Sequence, residues 1–451
     1  MQKLRLSLFA VATLAMTPWT AQAAPMCGLV VGSQNTGVLS VAGADWARAT
    51  LYWNAIDNTP IESANNVFAD IDQVVASVPN TLVSVETFPG SVNSSGPYRV
   101  SCTNWQNVLA SWQDFWQQAT SRYCATNPAN HGIVRYWSVW NEPNAWNFLQ
   151  PHLECSLGID YCKPDPNDPQ TTAARKPACQ TAAAQDYVDL VHYAELGRRA
   201  GCPSASLVAG EVAQDPDELT FTDQVLSGLA SYSITPAVYT VHTYDTAEGT
   251  ASQVGNYRTK LNNHQVWAPI WVTEAGGPAP GLPVTTCQAF GWNPQSQSCW
   301  GNQASFLQDM FRVNQQYASI HNWPRTFIFR AQVLYMSTDE YGIALVNSSG
   351  QVTQTLSTNL MRGACTGCGE AGCVPAQAAY ISHFTGAGCT GIESYYLPYD
   401  GYGYQCRTWD GNGRCGMIHR TMTNRSYRYN GQCYDAWSSG NTLSDFVTVY
   451  R

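Results

Sequence analysis

Charged residues are scarce in this chain: only 12% of its 451 residues are Asp, Glu, Lys or Arg, against about 25% in an average soluble domain. Basic residues are the scarcer kind, with 23 Lys and Arg against 32 Asp and Glu and a formal net charge of -9. A nucleic-acid-binding protein would be basic, so that class is excluded. Disorder is excluded as well, because 44% of the residues are hydrophobic and 12% are aromatic.

Long hydrophobic runs are also missing beyond the amino terminus. Lys3 and Arg5 precede an apolar run from Leu6 to Met16, which the small-residue site Ala21-Gln22-Ala23 follows. This pattern is typical of a cleavable signal peptide, and the run is too short to span a bilayer. We therefore expect residues 1–23 to be a signal peptide, the protein to be secreted (extracellular or periplasmic), and no membrane span to follow.

The 16 cysteines all follow the predicted signal, and in an oxidising compartment they indicate disulfides. Residues 361–451 hold seven of them together with 14 aromatic residues and no lysine. We expect a small disulfide-rich C-terminal domain there, which either braces the rest of the protein or binds carbohydrate. No Cys or His cluster completes a zinc-site spacing, so the sequence predicts no metal, and it predicts no cofactor.

From residue 27 to about 340 the sequence alternates short β-branched runs with longer amphipathic segments. Eight such units predict an α/β fold, a (β/α)₈ TIM barrel. We expect residues 24–360 to form one domain with insertions at 145–180 and 277–300. The predicted strands are Gly28 to Gly32, Ala49 to Trp53, Leu82 to Thr87, Val134 to Trp140, Ser206 to Glu211, Ala237 to Tyr244, Ile270 to Glu274 and Thr326 to Val333. The clearest helices are predicted at Trp105 to Arg122, Ala182 to Ala200, Asp217 to Leu229 and Gln303 to Ile320.

Two predicted strands end in a glutamate, in the strings Trp140-Asn141-Glu142-Pro143 and Thr273-Glu274-Ala275-Gly276. Without the insertion at 145–180, the two acids are about three strand–helix units of about 32 residues apart. They should therefore end strands four and seven and face each other across the barrel mouth. Two carboxyl groups about 5 Å apart are what retaining glycoside hydrolysis requires.

These motifs resemble those of the clan A glycoside hydrolases, whose hallmark is an Asn-Glu pair ending strand four and a second Glu ending strand seven. The resemblance covers residues 27 to about 345. In the order and character of its segments the chain is most similar to family 39 and its relatives, and next to family 5. It implies that Glu142 is the general acid and base, that Glu274 is the nucleophile and that Asn141 bonds the sugar 2-hydroxyl. It also implies that Tyr244 bonds the nucleophile.

Further candidates are less specific. His242 lies two residues before Tyr244 on the same strand face. Glu86 and Glu211 end strands three and five, where they could bind sugar hydroxyls or be the true partner of a misassigned catalytic pair. Arg48, near the start of strand two, could support the nucleophile or form a buried structural pair.

Aromatic residues could stack on sugar or pack in the core. The candidates are Trp53, Trp292 and Tyr335. Clan A members usually carry a Trp on strand eight, which is absent here, so Tyr335 is the candidate to take its place. Trp137, Trp140 and Trp146 could form an apolar surrounding for Glu142.

The sequence thus predicts a secreted retaining β-glycoside hydrolase, endo-acting on a polysaccharide or oligosaccharide. Because the barrel region is strongly acidic, a neutral or amine-bearing polymer fits better than an anionic one. The alternative is a non-catalytic glycan-binding protein built on the same barrel. The sequence leaves the oligomeric state open.

Overall fold

A computed structural model describes residues 28–32, 36–53, 65–89, 98, 105–129, 131–150, 162, 163, 165, 167–276 and 300–329, together with seven strands between residues 381 and 445. Eight parallel strands close into a barrel in chain order, which confirms the predicted (β/α)₈ fold. The barrel strands are β1 (Gly28–Val30), β2 (Trp46–Tyr52), β3 (Asn80–Glu86), β4 (Tyr136–Val139), β5 (Ser206–Val212), β6 (Val238–Thr243), β7 (Ile270–Ala275) and β8 (Arg325–Ile328).

Helices follow the strands on the outside of the barrel. Those described are α1 (Gly37–Ala42), α2 (Asn65–Ser77), α3 (Trp105–Arg122), α4 (Pro169–Gly201), α5 (Glu218–Ser231), α6 (Ala247–Asn263) and α7 (Trp300–His321). In β6 and β7 every residue is buried, as expected for parallel strands covered by helices on one face and by the barrel interior on the other. Within the described residues, no helix is long and apolar enough to cross a membrane.

Helix α4 begins well before the predicted start at Ala182. Asp168 caps it by accepting a hydrogen bond of 3.0 Å from the backbone N–H of Thr171, and Pro169 occupies the first helical position. Part of the predicted insertion at 145–180 is therefore helical. The disulfide Cys162–Cys179 joins this early part of the helix to the segment before it.

Helices α3 and α4 pack in close contact. A Cβ at Gly197 of α4 would lie 2.3 Å from the backbone oxygen of Gln113, so only glycine allows this approach. A second disulfide, Cys124–Cys202, joins the carboxyl ends of the two helices. These contacts fix α4 beside β4 and β5.

The C-terminal strands are β9 (Ile381–Gly386), β10 (Thr390–Tyr396), β11 (Gln405–Trp409), β12 (Cys415–His419), β13 (Ser426–Tyr429), β14 (Gln432–Asp435) and β15 (Leu443–Asp445). They form two antiparallel sheets with the strand orders β10-β9-β13-β14 and β11-β12-β15. The domain boundary at residue 361 stays a prediction.

The amino-terminal half of the barrel interior is filled by apolar side chains, which we call the barrel floor. Its members are Trp46, Leu82, Val208, Val238, Trp271 and Phe327, with Val30 and Tyr136 packed against them. The carboxyl-terminal half, the barrel mouth, carries buried charged groups instead.

Candidate active site at the barrel mouth

Glu142 and Glu274 lie at the carboxyl ends of β4 and β7. The side chain of Glu142 is 16% exposed and that of Glu274 is 8% exposed. One carboxylate oxygen of Glu142 lies within 4.8 Å of one of Glu274. Strands four and seven of the barrel thus bring the two acids together at the mouth.

The backbone beneath the site is held in uncommon conformations. The angle φ is 46° at Glu142 and 51° at Glu211, in the left-handed region, where each such residue costs about 1–3 kcal/mol. The backbone N–H of Glu142 donates to the carbonyl of Glu211 at 2.9 Å. The amide side chain of Asn144 bonds both the N–H and the C=O of Ala213 at 2.8 Å. The loops after β4 and β5 are therefore tied together.

A bulge in β5 directs Glu211 into the mouth. Relative to β6, one extra residue is inserted between Ala209 and Val212. Gly210 lies in this bulge with φ of 120°, and a Cβ there would lie 2.2 Å from the carbonyl oxygen of Thr240. Bulges commonly re-aim a side chain next to an active site, and glycine is required at this one.

A second bulge lies in β7, where Thr273 is inserted between the residues that pair with Val241 and His242 of β6. Regular strand alternation would point Thr273 and Glu274 to opposite faces. Instead, the hydroxyl of Thr273 donates to Glu211 at 3.0 Å while Glu274 joins the site. Sequence reasoning missed Thr273, because no residue signal marks the bulge.

Two donors hold the carboxylate of Glu274. Nη1 of Arg48 donates to Oε1 at 2.8 Å, and the hydroxyl of Tyr244 donates to Oε2. Nη2 of Arg48 also donates to the amide oxygen of Asn141 at 2.9 Å. Burial alone would lower the pKa of Arg48, but the charges of Glu211 and Glu274 outweigh it and raise that pKa, so the guanidinium stays charged. Arg48 is thus both a buried ion-pair partner and a support for Glu274.

His242 bridges two carboxylates. Its Nδ1 lies 2.9 Å from Oε1 of Glu142, and its Nε2 lies 2.7 Å from Oε2 of Glu211. Because both ring nitrogens face acceptors, the ring carries both protons. Burial lowers the pKa of His242, but the charge of Glu274 and the hydrogen bonds to Glu142 and Glu211 raise it overall to about 10.

Glu211 has no exposed surface, and one of its oxygens accepts three hydrogen bonds. Oε2 accepts from Arg48 at 2.9 Å, from His242 at 2.7 Å and from Thr273 at 3.0 Å. Burial would raise the pKa of Glu211, but the positive charges of Arg48 and His242 lower it to about 2. Glu211 is therefore a permanent anion beneath the site.

Glu86, at the end of β3, has a pKa shifted in the opposite direction from that of Glu211. It is buried, and its Oε2 has no hydrogen-bond partner among the described residues. Burial raises its pKa to about 7; Arg48 opposes this rise, while the negative charges of Glu274, Glu211 and Glu142 add to it. Glu86 therefore changes its charge near neutral pH.

Glu142, His242 and Glu274 also have the spacing of a metal site, since one atom of each lies within 4.8 Å of the others. A histidine that binds a metal must offer a neutral ring nitrogen. Both nitrogens of His242 face carboxylate oxygens, and the pKa of the ring is raised to about 10, so the ring is an imidazolium without a lone pair for a metal. We therefore interpret the group as a proton-transfer cluster.

Some predicted residues lie elsewhere or outside the described part of the chain. Trp53 is buried in the core, where its ring stacks on Phe115 with centroids 5.7 Å apart. The buried ring of Trp137 packs on Trp116 of helix α3, and so contributes to the outer core. The residues that fall outside the described ranges are Trp292 and Tyr335.

The barrel and its pair of facing carboxylates define a glycosidase-like class of protein. The family described as "Glycosyl hydrolase catalytic core" matches residues 116–358, which is more than half of the chain. The chain therefore belongs to the glycosyl hydrolase catalytic core family. Together with the closed barrel, this confirms the resemblance to clan A glycoside hydrolases.

Solved structures resemble this chain at low sequence identity. A glucosidase from Croceicoccus marinus is 12% identical, with 90% of this chain and 74% of that chain covered and a TM-score of 0.51. A family 39 glycoside hydrolase from Bacteroides cellulosilyticus WH2 is 12% identical, with 95% and 80% covered and a TM-score of 0.47. No curated protein matches the sequence.

Proposed function

We propose that the protein is a retaining β-glycosidase in which Glu142 is the general acid and base and Glu274 is the nucleophile. The observation that carries this proposal is that one carboxylate oxygen of Glu142 lies within 4.8 Å of one carboxylate oxygen of Glu274. Retaining enzymes hold the two groups about 5 Å apart, whereas inverting enzymes need about 6.5–9.5 Å to admit a water molecule between them. The separation therefore favours double displacement.

In the first step, Glu142 donates its proton to the glycosidic oxygen while an oxygen of Glu274 attacks the anomeric carbon. The bond from this carbon to the leaving group breaks, and the leaving group departs with a new hydroxyl. Glu274 is then esterified to the sugar. Arg48 and Tyr244 support this step because their hydrogen bonds orient the carboxylate of Glu274 toward the anomeric carbon.

In the second step, the carboxylate of Glu142 takes a proton from water, and the oxygen of that water attacks the anomeric carbon. The ester bond to Glu274 breaks, and both acids return to their starting protonation states. Between the two steps Glu142 is an anion. The imidazolium of His242, 2.9 Å away, stabilises that charge.

The proposed substrate is a neutral or amine-bearing extracellular polysaccharide cleaved internally. Support comes from the scarcity of basic residues and from the acidic groups gathered at the mouth, which disfavour an anionic polymer. In this proposal Asn141 bonds the 2-hydroxyl, and Glu86, at the end of β3, contributes to sugar binding. The C-terminal region keeps its two predicted roles, bracing and glycan binding.

The test is the stereochemistry and residue dependence of hydrolysis. Incubation with a panel of neutral and amino polysaccharides should release new reducing ends whose anomeric configuration, followed by NMR, is that of the substrate. Glu142→Gln and Glu274→Gln should each lower activity by about 10³-fold or more. Glu195→Gln, which changes a buried carboxylate on α4 remote from the mouth, is the matched control.

Three results would overturn the proposal. A product with inverted anomeric configuration would exclude the double-displacement mechanism. Wild-type activity in both Glu142→Gln and Glu274→Gln would exclude the catalytic roles assigned to these two residues. Binding of a glycan without new reducing ends would favour the non-catalytic glycan-binding protein.

A further inference from the structure

Glu211 has an arrangement that contact with sugar does not explain. Its side chain has no exposed surface, and its Oε2 is occupied by Arg48, His242 and Thr273. A buried carboxylate is costly unless its partners are well placed. Three side chains of the fold are therefore committed to an anion that substrate does not reach.

The backbone around Glu211 is held as firmly as its side chain. The N–H of Glu211 donates to the hydroxyl of Thr240 at 2.8 Å. The N–H of the preceding Gly210 donates to the hydroxyl of Tyr187, on helix α4, at 2.7 Å. The β5 bulge is thus supported from both sides, and it fixes where the carboxylate lies.

We propose that Glu211 is a positioning residue, which keeps His242 doubly protonated and turned toward Glu142 so that Oε1 of Glu142 always accepts from His242 and Oε2 carries the catalytic proton. This inference rests on the proposed function, since it takes Glu142 to be the general acid. Glu211 acts only through His242. The sugar contact predicted for Glu211 from the sequence is replaced here by this indirect role.

Several charged or titratable groups face His242 and Glu211 from the surrounding strands. They are Arg48 on β2, Glu86 on β3, Glu142 after β4, Tyr244 after β6 and Glu274 on β7. Glu211 differs from these carboxylates because it bonds Nε2 of the His242 ring and also pairs with Arg48. Its loss would therefore change the protonation of His242 more directly than the loss of a charge on the far side of the mouth.

Without the charge of Glu211, a neutral form of His242 becomes accessible. If Nε2 keeps its proton, Nδ1 becomes an acceptor at 2.9 Å from Oε1 of Glu142. The proton of Glu142 is then drawn to Oε1 and toward the ring, away from the glycosidic oxygen. Acid catalysis should fail at any pH at which His242 is neutral and return when the ring is protonated again.

The first measurement does not depend on activity. In protein labelled with ¹⁵N-histidine, the His242 signals, assigned by their loss in His242→Asn, should remain those of an imidazolium up to about pH 10. In Glu211→Gln the titration should move down by about 1–3 pH units. Glu211→Asp, which keeps the charge on a shorter side chain, should fall between the two.

The second measurement is the pH profile of hydrolysis. In Glu211→Gln the alkaline limb of kcat should move to lower pH, with KM little changed, and activity should recover as the pH is lowered. For aryl glycosides with poor leaving groups, kcat should fall by up to about 100-fold near pH 9, where the lowered titration leaves His242 mostly neutral, and by about twofold or less at pH 7. Those with acidic leaving groups, which need no proton, should be nearly unaffected in the first step.

Glu195→Gln again serves as the control, because Glu195 is a largely buried carboxylate paired with Arg198 and Arg199. It should change neither the His242 titration nor the pH profile. An unchanged titration in Glu211→Gln would overturn the inference, and if that variant does not fold, an unchanged titration in Glu211→Asp would do so. A fall in activity that is equal at all pH values and for all leaving groups would also overturn it.

Failure of the proposed function would look different. The wild-type protein would then hydrolyse no glycoside, while the NMR titration would still report whether Glu211 controls His242.

Discussion

The floor and the mouth of the barrel are built from the same eight strands but by opposite means. At the floor, Trp46 and Trp271 meet edge to face with centroids 5.1 Å apart, and Tyr136 lies 4.8 Å from Trp271. At the mouth, a few residues further along the same strands, Arg48 and Glu274 form a buried ion pair at 2.8 Å. Apolar burial stabilises the fold at any pH, whereas buried charges stabilise it only while each keeps its partner.

The two halves therefore differ in what they tolerate. Removing the ring of Trp271 from the floor leaves a cavity, while Arg325 still lies over the ring of Trp46, 3.7 Å from its centroid. Removing one charge at the mouth leaves several others without a partner, since Arg48 alone bonds Glu274, Asn141 and Glu211. The stability that the floor contributes should depend on the volume of its side chains. The stability that the mouth contributes should depend on the protonation states of its charged groups.

The largest effect should follow removal of the cation that the mouth shares. Arg48→Met leaves Glu211 and Glu274 buried beside each other, which should lower the free energy of unfolding by about 3–5 kcal/mol and remove most activity. Arg122→Met is the control, since Arg122 pairs with the partly exposed Asp72 and should cost about 1 kcal/mol or less. Urea denaturation at pH 7 measures both. A loss no greater than that of the control would contradict the comparison.

At the floor, Trp271→Ala should lower the free energy of unfolding by about 3–5 kcal/mol through cavity formation. Unlike changes at the mouth, it should leave the pH dependence of stability unchanged. Trp267→Ala provides a matched control four residues away, because that ring is 72% exposed; its expected effect is within about 0.5 kcal/mol. Thermal unfolding across pH 5–9 would test this, and a pH-dependent difference would show that floor and mouth are coupled.

Glu86 gives the mouth a pH dependence of known sign. Its pKa is raised to about 7 in the folded protein, while the unfolded chain loses this proton near pH 4.3. Between those values the unfolded state binds fewer protons, so stability should fall as pH rises, by about 4 kcal/mol in total. Glu86→Gln cannot ionise and should lack this fall. If the free energies of unfolding of the wild type and of Glu86→Gln change by the same amount from pH 4 to pH 8, Glu86 does not titrate as described.

The smallest effect should come from the bulge itself. Gly210→Ala places a Cβ against the carbonyl of Thr240 at a φ of 120°, which should cost about 2 kcal/mol. Because the bulge aims Glu211, the variant should also shift the titration of His242. Gly249→Ala is a poor control, since Asp245 crowds that position. Gly32→Ala, which meets no atom within 4 Å, is the suitable one.

Much of this arrangement was predictable from periodicity and motif spacing. Alternating strands and helices predicted the closed barrel, and the interval between Glu142 and Glu274 predicted that strands four and seven carry them. Strand alternation also placed His242 and Tyr244 on one face, and both reach the site. These features follow from local sequence patterns and from the general geometry of a barrel, so one sequence is enough to predict them.

The bulges were not predictable, because an inserted residue leaves no mark in composition. Thr273 looks like an outward-facing residue, and Glu211 looks like a rim acid open to substrate, until the shifted registers are known. Trp53 could not be assigned either, since stacking on sugar and packing on Phe115 require the same kind of side chain. Start signals at Asp168 and Pro169 were present, but the prolines and cysteines of that region favoured a loop.

The disulfide between Cys124 and Cys202, which are 78 residues apart, encloses β4, Asn141 and Glu142 in a covalent ring. A single peptide bond cut anywhere inside that ring would leave the polypeptide in one piece. The smaller ring of Cys162 and Cys179 lies within the larger one. A protease that nicked this part of the chain would give two fragments on a reducing gel and one band on a non-reducing gel, with the arm that carries Glu142 still joined to the barrel.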